Sequence, residues 1–201
     1  VIPTVAPYTL PPLLPLLRQR YSALSLQIRE AQTHTLVSEL LEAKLDACLA
    51  ALPLDHPDLE ILPLRTDRFL LAVPTGSPLA RQRRLTPEAL QNHPLLLLEE
   101  GHCLRDQALA VCRLQPTQSA AMLGAASLTT LIQLVANGLG ITLLPEICTQ
   151  QALPPGVRLL HFRAPAPTRT LGLAWRRSSA RKAEFTLLGQ VLQEAWRTKA
   201  S

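Results

Sequence analysis

Apolar and polar positions repeat along this chain with two periods, and the switches between them mark its elements. Leu10, Leu13, Leu14 and Leu17 fall at three- and four-residue spacing, which predicts an amphipathic helix over 10–21 that opens with prolines. Leu24, Leu26 and Ile28 then share one face at a period of two, the pattern of a strand over 24–30. Thr33 is placed to N-cap a helix carrying Leu36, Val37, Leu40 and Leu41, and 45–52 reads as a buried strand. Further strands are expected over 59–64 and 69–73, and Thr86-Pro87-Glu88 has the form of a short helix start.

The second half repeats the alternation. A strand over 94–98 precedes a helix over 104–114, a weak strand over 120–125, and a helix capped by Ser127 that ends at Asn137-Gly138. A strand over 141–144 stops at Pro145, strands over 157–162 and 170–175 follow, and Phe185, Leu188, Leu192 and Trp196 line one face of a last helix. Strands alternating with helices predict an α/β fold of two Rossmann-like units, on mostly parallel sheets, with ligands beyond the carboxyl ends of the strands. Strands crossing near Leu71 and Thr170 would join the units. Residues 1–71 and 171–201 are then one discontinuous subdomain and 72–170 the other.

Composition narrows the class. The 201 residues are 47% hydrophobic and 17% charged, a globular balance, and no apolar run approaches the roughly 20 residues that span a bilayer, so no membrane partner is expected. Val1 to Tyr8 carries neither initiator Met nor a leader pattern and reads as an excised stretch beginning inside a strand. The net charge of +5 draws on arginines gathered at Arg81 to Arg84 and Arg176 to Arg181. Neither cluster is interleaved with aromatics, so both read as solvated surface rather than nucleic-acid contacts.

The cysteines carry the remaining chemistry. Cys48, Cys103, Cys112 and Cys148 form no C-x-x-C pair and no regular framework, which argues against a metal site and for a reducing, cytoplasmic setting. No phosphate loop, nucleophile elbow or H-E-x-x-H motif is present, so no cofactor is expected. Cys103 follows a strand and opens a helix, where unpaired N–H groups and the positive helix end favour a thiolate, with His102 and Arg105 as nearby cations. Two readings are open here: both thiols are core residues, or Cys103 attacks a peroxide O–O bond. Nine residues of helix rise about 13 to 14 Å, whereas a disulfide needs Cα atoms within about 7 Å. Should Cys103 and Cys112 pair, the helix between them must unravel, which makes the bond a switch.

The stretch Gly101-His102-Cys103-Leu104-Arg105-Asp106-Gln107-Ala108, with Cys112, resembles the redox segment of the OxyR family of hydrogen-peroxide sensors among LysR-type transcriptional regulators. Val1-Ile2-Pro3-Thr4, Glu30-Ala31-Gln32-Thr33-His34, Lys44-Leu45-Asp46, Ser127-Leu128 and Gly140 to Pro145 are similar in order and spacing. The resemblance implies a periplasmic-binding-protein type II-like fold, with Cys103 peroxidatic and Cys112 resolving. It further implies Thr4, Thr33, His102, Asp106 and Arg169 about the peroxide, and Cys48 and Cys148 as spectators. Its implied partners are hydrogen peroxide, a second copy of the domain (a tetramer at full length), DNA through a winged helix-turn-helix N-terminal to this chain, and a thiol reductant such as glutaredoxin or thioredoxin. The chain would then be a regulator of oxidative-stress genes rather than an enzyme. Two alternatives are a LysR-type domain binding a small organic molecule and a turnover thiol peroxidase. The cysteine motif argues against the first and the α/β pattern against the second.

Overall fold

The computed structural model describes residues 1–90, 93–112 and 124–197. In chain order the elements are α1 (Ala6–Arg20), α2 (Thr33–Leu41), β1 (Ala47–Leu52), β2 (Leu59–Pro74), β3 (Arg84–Leu85), β4 (Leu97–Leu98) and α3 (Cys103–Cys112). Then follow β5 (Gly124–Ala125), α4 (Leu128–Ala136), β6 (Thr142–Pro145), β7 (Val157–Phe162), β8 (Thr168–Arg176) and α5 (Lys182–Arg197), with 3-10 turns at Pro78–Arg81, Pro87–Leu90 and Glu146–Gln150. Two compact units result, Val1–Thr66 with Thr170–Ser201, and Asp67–Arg169. The divisions lie inside β2 and β8, at 66/67 and 169/170 rather than 71/72 and 170/171.

In the first unit β1 pairs antiparallel with β8, from Ala47 opposite Trp175 to Leu52 opposite Thr170. α1 keeps its helix despite three internal prolines and buries Tyr8, Thr9, Leu13 and Leu17, packing against α5. Trp196 on α5 donates its indole N–H to the Thr9 hydroxyl at 3.0 Å, so a buried polar pair sits inside this helix contact. Phe185 stacks at a tilt on Trp175, ring centres 5.4 Å apart.

The second unit is built around Phe69 to Val73 of β2, all buried. These residues pair antiparallel with β6 (Leu70 opposite Leu144) and with β7 (Leu70 opposite His161), while β3 joins β7 in parallel. β4 and β5 form a parallel pair. Ser127 caps α4, its hydroxyl accepting from Thr130 N–H at 3.2 Å, and Leu128, Leu131, Ile132 and Val135 are its buried face.

Several expectations change. The ladders of β1, β6 and β7 are antiparallel, because the strands that carry the chain across, β2 and β8, run against the neighbours they join. The two strands expected over 59–73 are one strand of 16 residues, since Arg65 to Arg68 continues the extended backbone despite its polarity. The strand expected over 94–98 is reduced to β4 and an isolated bridge from Leu95 to Ile141. No strand forms over 24–30, where Leu24, Leu26 and Ile28 stand 43 to 45% exposed; alternation alone supplies no partner. The ends of the helix expected over 104–114 and of the strand expected over 120–125 lie outside the described residues.

Candidate functional site around Cys103

Cys103 is held by the strand that leads into it. Ile141 N–H donates to Pro94 O at 2.9 Å, Leu96 N–H to Ile141 O at 2.8 Å, and Thr142 Oγ1 to Leu96 O at 2.8 Å. The approach needs a glycine: a Cβ on Gly140 would lie 2.5 Å from Pro94 O. On the other side of this strand Glu99 N–H donates to Ala125 O at 3.0 Å. The chain then turns through Gly101 at φ 88°, a left-handed conformation that a side chain resists, and enters α3 at Cys103. The tight strand-to-helix turn is thus set by one residue.

α3 is an intact helix with Cys103 as its first residue and Cys112 as its last. Leu104, Ala108, Leu109 and Cys112 form its buried face, packed against β4 and the turn Pro87–Leu90, while Cys103 is half-buried at its edge. Cys103 and Cys112 are both free thiols. Nine helical steps separate the two by about 13 to 14 Å along the axis, beyond the reach of a disulfide. Burial pushes the Cys112 thiol up from 9.0 to about 11, which keeps it protonated and unreactive in this conformation.

One of the two expected cations is not charged. His102 is buried, and desolvation lowers its pKa against a smaller opposing pull from Glu99, so the imidazole is neutral at neutral pH. Arg105 turns back toward the strand, donating from Nη1 to Leu98 O at 3.2 Å, and so clamps the turn. Asp106 stands exposed in the first turn of α3.

The other expected residues are distributed between the units. Thr4, in the turn before α1, is 2% exposed. Thr33 is the first residue of α2 and does not cap it, since the cap position is Gln32; its Oγ1 is buried with no hydrogen-bond partner. The segments carrying both threonines are tied where Ala31 N–H donates to Val1 O at 3.3 Å. In the second unit Arg169 is buried: Nε donates to Asp67 Oδ2 at 3.0 Å, and Asp67 Oδ1 accepts from Ile147 N–H at 3.0 Å. Cys48 and Cys148 are buried.

One residue escaped the sequence reading. Gln107 lies one turn after Cys103 on the same side of α3, and its Oε1 is buried without a partner. The i, i+4 spacing inside the motif was the available signal. Among the described residues no group of three or more His, Cys, Asp or Glu is placed to hold a metal.

Comparison with known proteins places this geometry in context. Residues 1–197 match the LysR substrate binding domain model. A probable hydrogen peroxide-inducible genes activator of Streptomyces viridosporus is 46% identical over 98% of this chain and 64% of its own length. A hydrogen peroxide-bound cysteine-to-serine mutant of Corynebacterium glutamicum OxyR is 36% identical, with a TM-score of 0.91, over 98% of this chain and 63% of that one. The reduced OxyR regulatory domain of Pseudomonas aeruginosa is 34% identical, with a TM-score of 0.85, over 96% of this chain and 94% of that one. The chain spans 63 to 65% of the length of these curated relatives.

Proposed function

We propose a function from one premise: this chain belongs to the LysR substrate-binding domain family, within the OxyR branch of hydrogen peroxide-inducible activators, and has their periplasmic-binding-protein type II-like fold. It is the peroxide-sensing regulatory domain of a transcription regulator. The observation that carries the reading is the placing of two free thiols at opposite ends of one helix, the first half-exposed and the second buried.

In the proposed reaction the Cys103 sulfur attacks one peroxide oxygen, the O–O bond breaks, and the other oxygen leaves as water once protonated. Cys103 is oxidised to a sulfenic acid. The Cys112 thiol then attacks that sulfur, expelling a second water and forming the disulfide. Thr4, Thr33, His102, Asp106 and Arg169 are proposed to hold the peroxide and the reactive turn. Hydroxyls can donate to and accept from the two peroxide oxygens, and a neutral imidazole can do the same. Because α3 separates the sulfurs, the second step requires its unwinding, and the refolded segment would change how copies of the domain associate. A dithiol reductant such as glutaredoxin or thioredoxin would return both cysteines to thiols.

DNA binding is assigned to a winged helix-turn-helix outside this chain, and the working form to a tetramer assembled through this domain. Among the described residues no helix is long and apolar enough to cross a membrane, and the reversible thiol chemistry suits the cytoplasm. One peroxide is consumed per switching event, so the protein acts as a regulator rather than a turnover enzyme. The test is peptide-mapping mass spectrometry after one equivalent of hydrogen peroxide and alkylation. A dominant Cys103–Cys112 linkage is expected. Free thiols, or indiscriminate bonding with Cys48 and Cys148, would overturn the reading.

A further inference from the structure

Several arginines of this chain have evident employment within the fold. Arg29 and Arg181 pair with exposed carboxylates, Arg169 with the buried carboxylate of Asp67, and Arg105 and Arg176 donate to backbone carbonyls. A group in the second unit is different. Arg81, Arg83, Arg84, Arg158 and Arg163 are all exposed, and among the described residues their guanidinium groups make no hydrogen bond or ion pair. The carboxylate nearest to them in the sequence, Glu88, belongs to the turn that follows β3.

The fold gathers these five onto one edge. β3 ends its strand order and runs parallel to β7, with Arg84 opposite His161, and paired strand positions share a face. Arg163 N–H donates to Leu85 O at 2.8 Å, which seats Arg163 beside the end of β3. The turn Pro78–Arg81 packs on β7 as well, and Arg158 stands in that strand. In the sequence only Arg81 to Arg84 are neighbours, which is why they read as ordinary solvated surface. The formal net charge of the chain is +5, so this edge alone carries as many positive charges as the whole chain has in excess. Like charges held together without counter-charge repel one another, and a bound anion relieves that repulsion.

We propose that the β3–β7 edge is a second, sequence-independent contact to the phosphate backbone of duplex DNA, made by Arg81, Arg83, Arg84, Arg158 and Arg163. The proposal rests on the DNA-bound regulator described above. Three features favour an extended polyanion over a single enclosed ion. The five arginines are exposed, with no buried donor among them to build a closed cradle. Along extended β7, Arg158 and Arg163 stand about 16 Å apart, and that length of duplex carries roughly nine phosphate charges. Guanidinium forks match phosphate oxygens in pairs and hold their charge at any working pH. A domain tethered beside its operator meets DNA at high effective concentration, so a contact too weak to act alone adds to the affinity of the whole.

The test measures binding of this chain to a fluorescein-labelled, mixed-sequence DNA duplex by anisotropy over a series of salt concentrations. The winged helix-turn-helix is assigned outside the chain, so the assay reads the edge alone. Arg83→Ala/Arg84→Ala/Arg163→Ala is expected to bind about tenfold or more weakly at low salt, and to lower the slope of log K against log salt by roughly 2 to 3. Arg18→Ala/Arg68→Ala/Arg197→Ala removes the same charge from exposed arginines outside the edge and is expected to bind within about threefold of the unmodified protein. Equal loss in the two triple variants would overturn the proposal, because bulk charge would then explain the binding. Absence of duplex binding by the unmodified chain would overturn it too, and binding of polyglutamate in its place would assign the edge to an acidic protein. Far-ultraviolet circular dichroism checks that both variants fold. Formation of the Cys103–Cys112 linkage after peroxide depends on the redox reading and not on these arginines, so failure of one is distinguishable from failure of the other.

Discussion

Arg169 donates its Nε to Asp67 Oδ2 at 3.0 Å with both side chains almost wholly out of solvent, and these are the last and first residues of the second unit. The pair therefore ties together the two places where the backbone enters and leaves that unit. Asp67 also receives Ile147 N–H, so its carboxylate closes the turn Glu146–Gln150 as well.

Replacing Asp67 with Ala is expected to destabilise the protein by about 3–5 kcal/mol, because a guanidinium is left buried without its counter-charge. Glu184→Gln, which removes one of the two exposed carboxylates paired with Arg181, is expected to leave stability almost unchanged. Urea denaturation of both variants checks the contrast.

The two cysteines of the proposed switch are expected to fail differently. Cys103→Ser abolishes the response to peroxide. Cys112→Ser leaves the first attack intact and lets a sulfenic acid accumulate, detected by a sulfenic-acid-specific trap and mass spectrometry. Cys48→Ser and Cys148→Ser are expected to form the Cys103–Cys112 linkage as the unmodified protein does. Equal peroxide response in Cys103→Ser would remove the basis of the assignment.

Cys112 gives a pH prediction. Its folded pKa, about 11, stands above the ordinary 9.0, so the unfolded thiol ionises first as pH rises. The stabilisation is fully present below pH 9 and is lost between about 9 and 11. The stability of the unmodified protein should therefore fall relative to Cys112→Ala across that window, and parallel curves would contradict the burial argument.

His102 acts at the acid end with the opposite sign. Its folded pKa is depressed by desolvation, so the unfolded imidazole takes up its proton first as pH falls. Stability is expected to decline below the ordinary value of 6.5, and His102→Gln should flatten that decline in denaturation curves collected from pH 7 to 5.

Gly101→Ala places a Cβ at φ 88° and is expected to cost about 1–2 kcal/mol. Because the turn aims the first residue of α3, the same variant should slow Cys103 oxidation by peroxide in stopped-flow assays.

What the sequence made legible was local. Ser127 capping α4, the stop at Pro145 and the helix beginning at Cys103 all follow from short-range chemistry, and all appear. What it hid was pairing. Leu24, Leu26 and Ile28 announce a face but not a neighbour, and the directions of β6 and β7 depend on where β2 runs, many residues away. Burial was hidden likewise: Arg169 reads equally well as a surface charge until Asp67 is placed beside it. The charge that His102 was expected to lend Cys103 was lost for the same reason, since desolvation favours the neutral imidazole.

The buried face of α3 gives the proposed switch a clock. Once Cys103 is oxidised, the wait for Cys112 is set by how often the helix opens, and that frequency depends on Leu104, Ala108 and Leu109, none of which touches peroxide. Loosening those contacts would shorten the life of the sulfenic acid and favour fast signalling. Tightening them would lengthen it and leave the sulfur open to a second, irreversible oxidation. The packing of one short helix thus decides whether a pulse of oxidant is recorded as a message or as damage.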